Sequence, residues 1–162
     1  MAGKDEEARP LEVSQRIFQL AQQEYHCSQI LMILGLELQG KCDWDLVRTV
    51  DGLKGGLGFS GKLCGALTGA VCLLGLYAGR GPLEEKSDFS LTLMTQELVD
   101  WFEGTYGGKY GGIDCEQILS GVGREGKSAT CKSLVLECYH RAIGLLEANG
   151  FDPRLGRGEK PD

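Results

Sequence analysis

From Leu63 to Gly79 the chain runs seventeen residues without a charge, between Lys62 and Arg80, with glycines at 65, 69, 75 and 79. A run of that length and hydropathy goes either into a bilayer or into the centre of a folded domain. It sits at the lower limit for spanning, and glycine dilutes it, so it predicts a buried core helix over about 63–78. Gly61, Gly65 and Gly69 are spaced by four, as are Gly75 and Gly79. Such strips lack side chains and let a neighbouring helix approach closely.

Helical spacing continues on both sides of this run. Val13, Ile17, Leu20 and Ala21 define a first amphipathic helix to about Glu24, and Ile30, Leu31, Leu34 and Leu38 a second from Cys27. A short third helix starts with Asp43 as its cap, and a fifth follows from about Asp88 to Tyr106 on Leu91, Met94, Leu98, Trp101 and Phe102. Asp114 and Gln117 form a capping-box pattern for a short sixth helix over 115–119. A last helix is predicted from about Thr130 to Ala148, closed by Asn149-Gly150. Three glycine-bearing loops, 51–61, 107–112 and 121–127, separate these segments, and no strand alternation is present. The fold class is therefore all-α, a compact bundle of about six to seven helices with glycine-rich loops. Residues 11–150 form one domain, flanked by a flexible N-terminus (1–10) and a flexible tail (151–162).

Composition limits function. With 42% apolar and 25% charged residues in 162, the chain has enough material for one core without disulfide staples. Its net charge of −6, with no Lys/Arg stripe, argues against nucleic acid as a partner. The charged start Met-Ala-Gly-Lys-Asp-Glu-Glu has no apolar stretch of signal type, so a reducing, cytoplasmic compartment is expected. In that compartment cysteines are metal-binding or catalytic rather than a permanent framework, and the odd count of seven agrees.

Cys27, Cys64, Cys115 and Cys131 each fall in the first turn of a predicted helix. A helix start carries unpaired N–H groups and about half a positive charge, which favours the reactive thiolate. Cys64 and Cys72, eight residues apart on one helix, lie about 12 Å apart along it, too far for a disulfide. Cys72 reads as a small core residue and Cys42 as an exposed turn thiol. Cys138, seven residues beyond Cys131, shares its helix face and is a reserve ligand beside a core role.

Four cysteines on four elements meet only in the folded state, and two chemistries fit. One is redox-active disulfide formation, with three pairings open; the other is ligation of a metal or an iron–sulfur cluster. For the cluster the ligands would be Cys64, Cys115 and Cys131 with Cys27 or Cys138 as the fourth, and Gly65 and Gly69 would put backbone near the site. No C-x-x-C pair is present, which weakens zinc-ribbon and thioredoxin-like readings. His26 and His140, the only histidines, read as surface residues, and no P-loop or Ser-His-Asp signal is found. A helical interaction module, a homodimer formed through the glycine-lined faces, and structural zinc are the alternatives.

Cys27-Ser28-Gln29, the stretch Gly58-Phe59-Ser60-Gly61-Lys62-Leu63-Cys64-Gly65-Ala66-Leu67-Thr68-Gly69, then Cys115 and Cys131 resemble the pattern of the C-GCAxxG-C-C family of redox-active proteins. The resemblance covers about residues 12–148. It implies a small helical bundle with a redox role on those four cysteines, an unidentified redox partner, and Cys138 as a substitute for Cys27 if a cluster is bound. His26 stands where the family commonly has Asn, and Cys42, Cys72 and Cys138 are additional to the pattern.

Overall fold

A computed structural model describes residues 10–158, so 1–9 and 159–162, parts of the expected flexible ends, lie outside the described residues. Within them the fold is all-α, with seven helices and no strand. These are α1 (Pro10–Gln22), α2 (Cys27–Leu38), α3 (Trp44–Thr49), α4 (Gly65–Ala78), α5 (Phe89–Phe102), α6 (Cys115–Leu119) and α7 (Arg124–Ala148). No helix among the described residues is long and apolar enough to cross a membrane.

The charge-free run becomes α4, at the centre. Ala66, Leu67, Ala70, Leu73, Leu74 and Tyr77 are at most 1% exposed, packed against α2, α5 and α7. Each fully buried leucine of this kind contributes about 1.5–3 kcal/mol. The closest approach is to α2, and glycines on both helices permit it. A Cβ on Gly69 would stand 2.7 Å from Ser28 Cα, and one on Gly35 3.2 Å from Leu73 Cγ. Gly65 and Gly69 are thus spent on a contact inside the chain.

The caps follow the sequence in two places. Asp43 accepts from the N–H groups of Asp45 (3.0 Å) and Leu46 (3.1 Å), and Asp114 and Gln117 complete a capping box. The core helix itself starts at Gly65, with Cys64 as its N-cap. His26 caps α2 without a side-chain hydrogen bond, while the buried Ser28 hydroxyl donates to Val50 O at 2.9 Å and ties α2 to the end of α3.

Three segments differ from expectation. After α5 the chain does not break at Gly107-Gly108. It passes through a π turn (Glu103–Gly107) and one more turn (Gly108–Tyr110) before Gly111 ends it at φ 75°. Tyr106 explains this: its ring is buried and its hydroxyl donates to Glu137. The last helix begins six residues earlier than predicted, at Arg124, because the break is confined to Gly121–Gly123 and Gly126 is taken into the helix. Finally, residues 151–158 of the expected tail contact the bundle. Phe151 is buried, Pro153 O accepts from Tyr77 Oη at 2.8 Å, and Arg157 reaches Gly79 O and Glu85 (3.3 Å).

Candidate functional site

Three of the four cysteines lie at helix starts: Cys27 is the first residue of α2, Cys115 the first of α6, and Cys64 the N-cap of α4. Cys131 does not. The early start of α7 places it about two turns inside that helix, which corrects the expectation of a first-turn position.

Backbone pairing sets Cys64 beside Cys115. An isolated antiparallel bridge joins Leu63 to Asp114, in which Cys64 N–H donates to Ile113 O (3.2 Å) and Cys115 N–H to Lys62 O (2.6 Å). Glu116 N–H donates to Gly61 O at 3.1 Å. The glycine loop makes that pairing geometrically accessible. Gly56 is left-handed (φ 69°), and a Cβ there would lie 2.3 Å from Lys62 O. Gly65 then brings α2 close, since a Cβ on it would sit 3.7 Å from Cys27 Cβ. With Cys131 coming from α7, all four sulfurs face one cavity of about 450 Å³, also lined by Gly65, Phe59, Ile118, Leu134 and the polar His26, Glu116 and Lys127.

The remaining candidates lie elsewhere. Gly69 packs on Ser28 and does not reach the cavity, so its role is helix packing. Cys138 is fully buried in the core behind the cavity wall, Cys72 is half-buried, and Cys42 is exposed.

The chain matches the model of the family described as "Putative redox-active protein (C_GCAxxG_C_C)" over residues 25–144. It belongs to that family. No curated protein and no solved structure gives a significant match. The four cysteines of the family pattern are the four that share the cavity.

Burial overrides the helix-start field at Cys64 and Cys115. At Cys64, burial pushes the thiol up to about 11, although the Ala66 and Leu67 N–H groups act in the opposite sense. At Cys115 burial again raises the pKa, and the N–H groups of Cys115 and Glu116 are already spent on loop carbonyls. The Cys27 thiol donates to the Cys131 sulfur, and this bond, with burial, holds its pKa well above 9.0. Cys131 moves the other way. The bond from Cys27, helped by the Lys127 charge one turn earlier and opposed by burial, pulls it from 9.0 to about 7. The two shifts are opposite in direction, so Cys131 ionises before Cys27.

The loop supplies the cavity's rim. Phe59 and Leu57 are non-glycine residues at positive φ (62° and 65°), a conformation that costs each about 1–2 kcal/mol. The strain holds the Phe59 ring at the cavity, edge-on to His26 at 5.7 Å between centroids, with 67% of the residue exposed. His26 Nδ1 is buried with no hydrogen-bond partner among the described residues. The sequence reading left Lys127 and Phe59 out of the site. Lys127 is legible only once α7 is known to start before it, and Phe59 only from the loop's backbone.

For a metal, the four thiols supply suitable donors, but their arrangement does not fit. Among the described residues, no group of three or more His, Cys, Asp or Glu side chains is placed to hold a metal ion.

Proposed function

We propose that this protein carries out thiol–disulfide exchange at the cavity, with Cys131 as the attacking thiolate and Cys27 as its resolving partner. The observation that carries the reading is that Cys27 and Cys131 line one cavity together with Cys64 and Cys115, and of the pair Cys131 is the thiol displaced downward and Cys27 the one displaced upward. The Cys131 thiolate attacks a disulfide RS–SR, forming Cys131–S–SR and releasing RS⁻. The Cys27 sulfur then attacks the Cys131 sulfur, its proton passing to the departing thiolate, to give Cys27–S–S–Cys131 and RSH. Two electrons leave the protein, and one external disulfide is reduced to RS⁻ and RSH. Cys64 and Cys115, adjacent through the Leu63–Asp114 bridge, form a second thiol pair on the same cavity.

The test is a thiol count on fully reduced protein before and after mild oxidation by a small disulfide, with peptide mapping. Loss of two thiols with a Cys27–Cys131 link first supports the reading. An unchanged count, or a first link that omits Cys131, refutes it. The cluster alternative, which rests on four thiols sharing one cavity, is read from the same preparation: brown anaerobic protein with stoichiometric iron would overturn the dithiol assignment.

A further inference from the structure

A second cavity, of about 650 Å³, is also lined by Cys27 and Cys131. The two cavities share His26, Cys27, Lys127 and Cys131, so the cysteine pair borders both. Neither Cys64 nor Cys115 lines the second cavity. The two spaces also differ in charge. The first carries Lys127 against Glu116, whereas the second carries Lys127 and Lys132 against Glu24 alone. Lys132 is held at the rim, its Nζ 4.7 Å from the Phe18 ring centroid. Lys127 forms no ion pair or side-chain hydrogen bond among the described residues, although it reaches both cavities and lies one turn from Cys131. An exposed lysine with no protein partner, beside a nucleophile, is suited to hold a negative charge that arrives with the substrate.

We infer that the second cavity is the substrate's way in, and that the substrate is a small anionic disulfide whose acidic group docks on Lys127 and Lys132 beside the Cys131 sulfur. The inference rests on the exchange reaction proposed above and adds the direction of approach and the charge of the substrate. The chemistry is unchanged: the incoming S–S bond breaks as Cys131–S bonds to one half, the other half leaves as RS⁻, and Cys27 resolves the mixed disulfide with release of RSH. Substrate entering by this route meets Cys131 before it can meet Cys64 or Cys115.

The experiment uses the reduced full chain carrying Cys42→Ser, which removes the exposed thiol, and two probes of opposite charge. One is the dianion 5,5′-dithiobis(2-nitrobenzoate); the other is the dication cystamine. Second-order rates are compared for the parent, Lys127→Glu and Lys132→Gln. Loss of the Lys127 charge also changes the ionisation of Cys131, but that affects both probes together, so the anion-to-cation rate ratio isolates docking. The ratio is expected to fall about tenfold or more in Lys127→Glu and by less in Lys132→Gln, and to fall in the parent as salt rises. With Cys27→Ser added to block resolution, the trapped adduct is expected on Cys131. A ratio unchanged in both lysine variants overturns the inference while leaving the exchange reading intact, and an adduct first on Cys64 or Cys115 overturns both. Exchange that persists undiminished in Cys131→Ser overturns both.

Discussion

Cys27→Ala removes the S–H donor that holds charge on Cys131. Without that bond the remaining influences on Cys131 are burial, which raises its pKa, and the weaker Lys127 charge, which lowers it. The pKa then returns from about 7 to the ordinary 9.0 or above. At pH 7 the thiolate fraction falls from about one half to about one per cent, roughly fifty-fold. Intrinsic nucleophilicity moves the opposite way, by about 0.4–0.5 log unit per pKa unit, so the more basic thiolate attacks about eightfold faster once formed. The product is a crossing. Near pH 7 Cys131 in the variant is expected to react about sixfold more slowly, and above about pH 10 severalfold faster, than in the parent. The assay is the initial rate of Cys131 capture by the neutral 2-hydroxyethyl disulfide from pH 5 to 11, read by quenched alkylation and peptide mass spectrometry. Cys27→Ser, which keeps a hydroxyl donor, is expected to retain most of the low midpoint, separating the bond from packing. A Cys27→Ala profile superimposable on the parent would refute Cys27 as the cause of the lowered Cys131 pKa.

Two further outcomes test the frame that holds the site. Gly69→Ala places a Cβ 2.7 Å from Ser28 Cα, a backbone atom that moves only if α2 moves. Overpacking of about 1–3 kcal/mol less about 1 kcal/mol of gained helix propensity leaves a net loss of up to about 2 kcal/mol, a Tm lowered by as much as about 4–8 °C in a thermal melt, and a raised Tm would show that the helices are not in tight contact. Tyr77→Phe removes the 2.8 Å bond to Pro153 O, so a loss of about 1–2 kcal/mol in denaturant titration is expected, with earlier proteolytic cleavage in residues 151–158.

Much of the fold was legible because burial writes itself as periodicity. The run without charge became the central helix, and Asp43 and the Asp114/Gln117 pair capped where their side chains require. The misread boundaries share a physical cause. Glycine was read as a stop at 107–108 and within 121–127, yet Gly108 and Gly126 remain helical, since about 1 kcal/mol of lost propensity is less than tertiary contacts such as the buried Tyr106 can offset. The contacts of 151–158 were illegible for another reason. They depend on Tyr77, more than seventy residues away in sequence, and polar composition carries no trace of such a partner.

The convergence of the four cysteines was readable, but the location of their charge was not. A helix start stabilises an anion by about 0.3–1 kcal/mol at exposed sites, whereas burying a thiolate shifts its pKa by several units. Cys64 shows which is larger: two first-turn N–H groups act on its sulfur, and its pKa still rises to about 11. The helix start therefore fixes where these sulfurs sit and leaves their ionisation to other neighbours. Cys131, inside a helix, has its pKa lowered by the neighbouring Cys27 thiol and by the Lys127 charge, against the opposing effect of burial. In a cluster of buried thiols the first to ionise is the one whose neighbours can donate a hydrogen bond to it, and after that each remaining thiol ionises against the charge already present. Such a set favours one nucleophile with protonated partners over four equal ligands, which is the arrangement stepwise disulfide exchange requires.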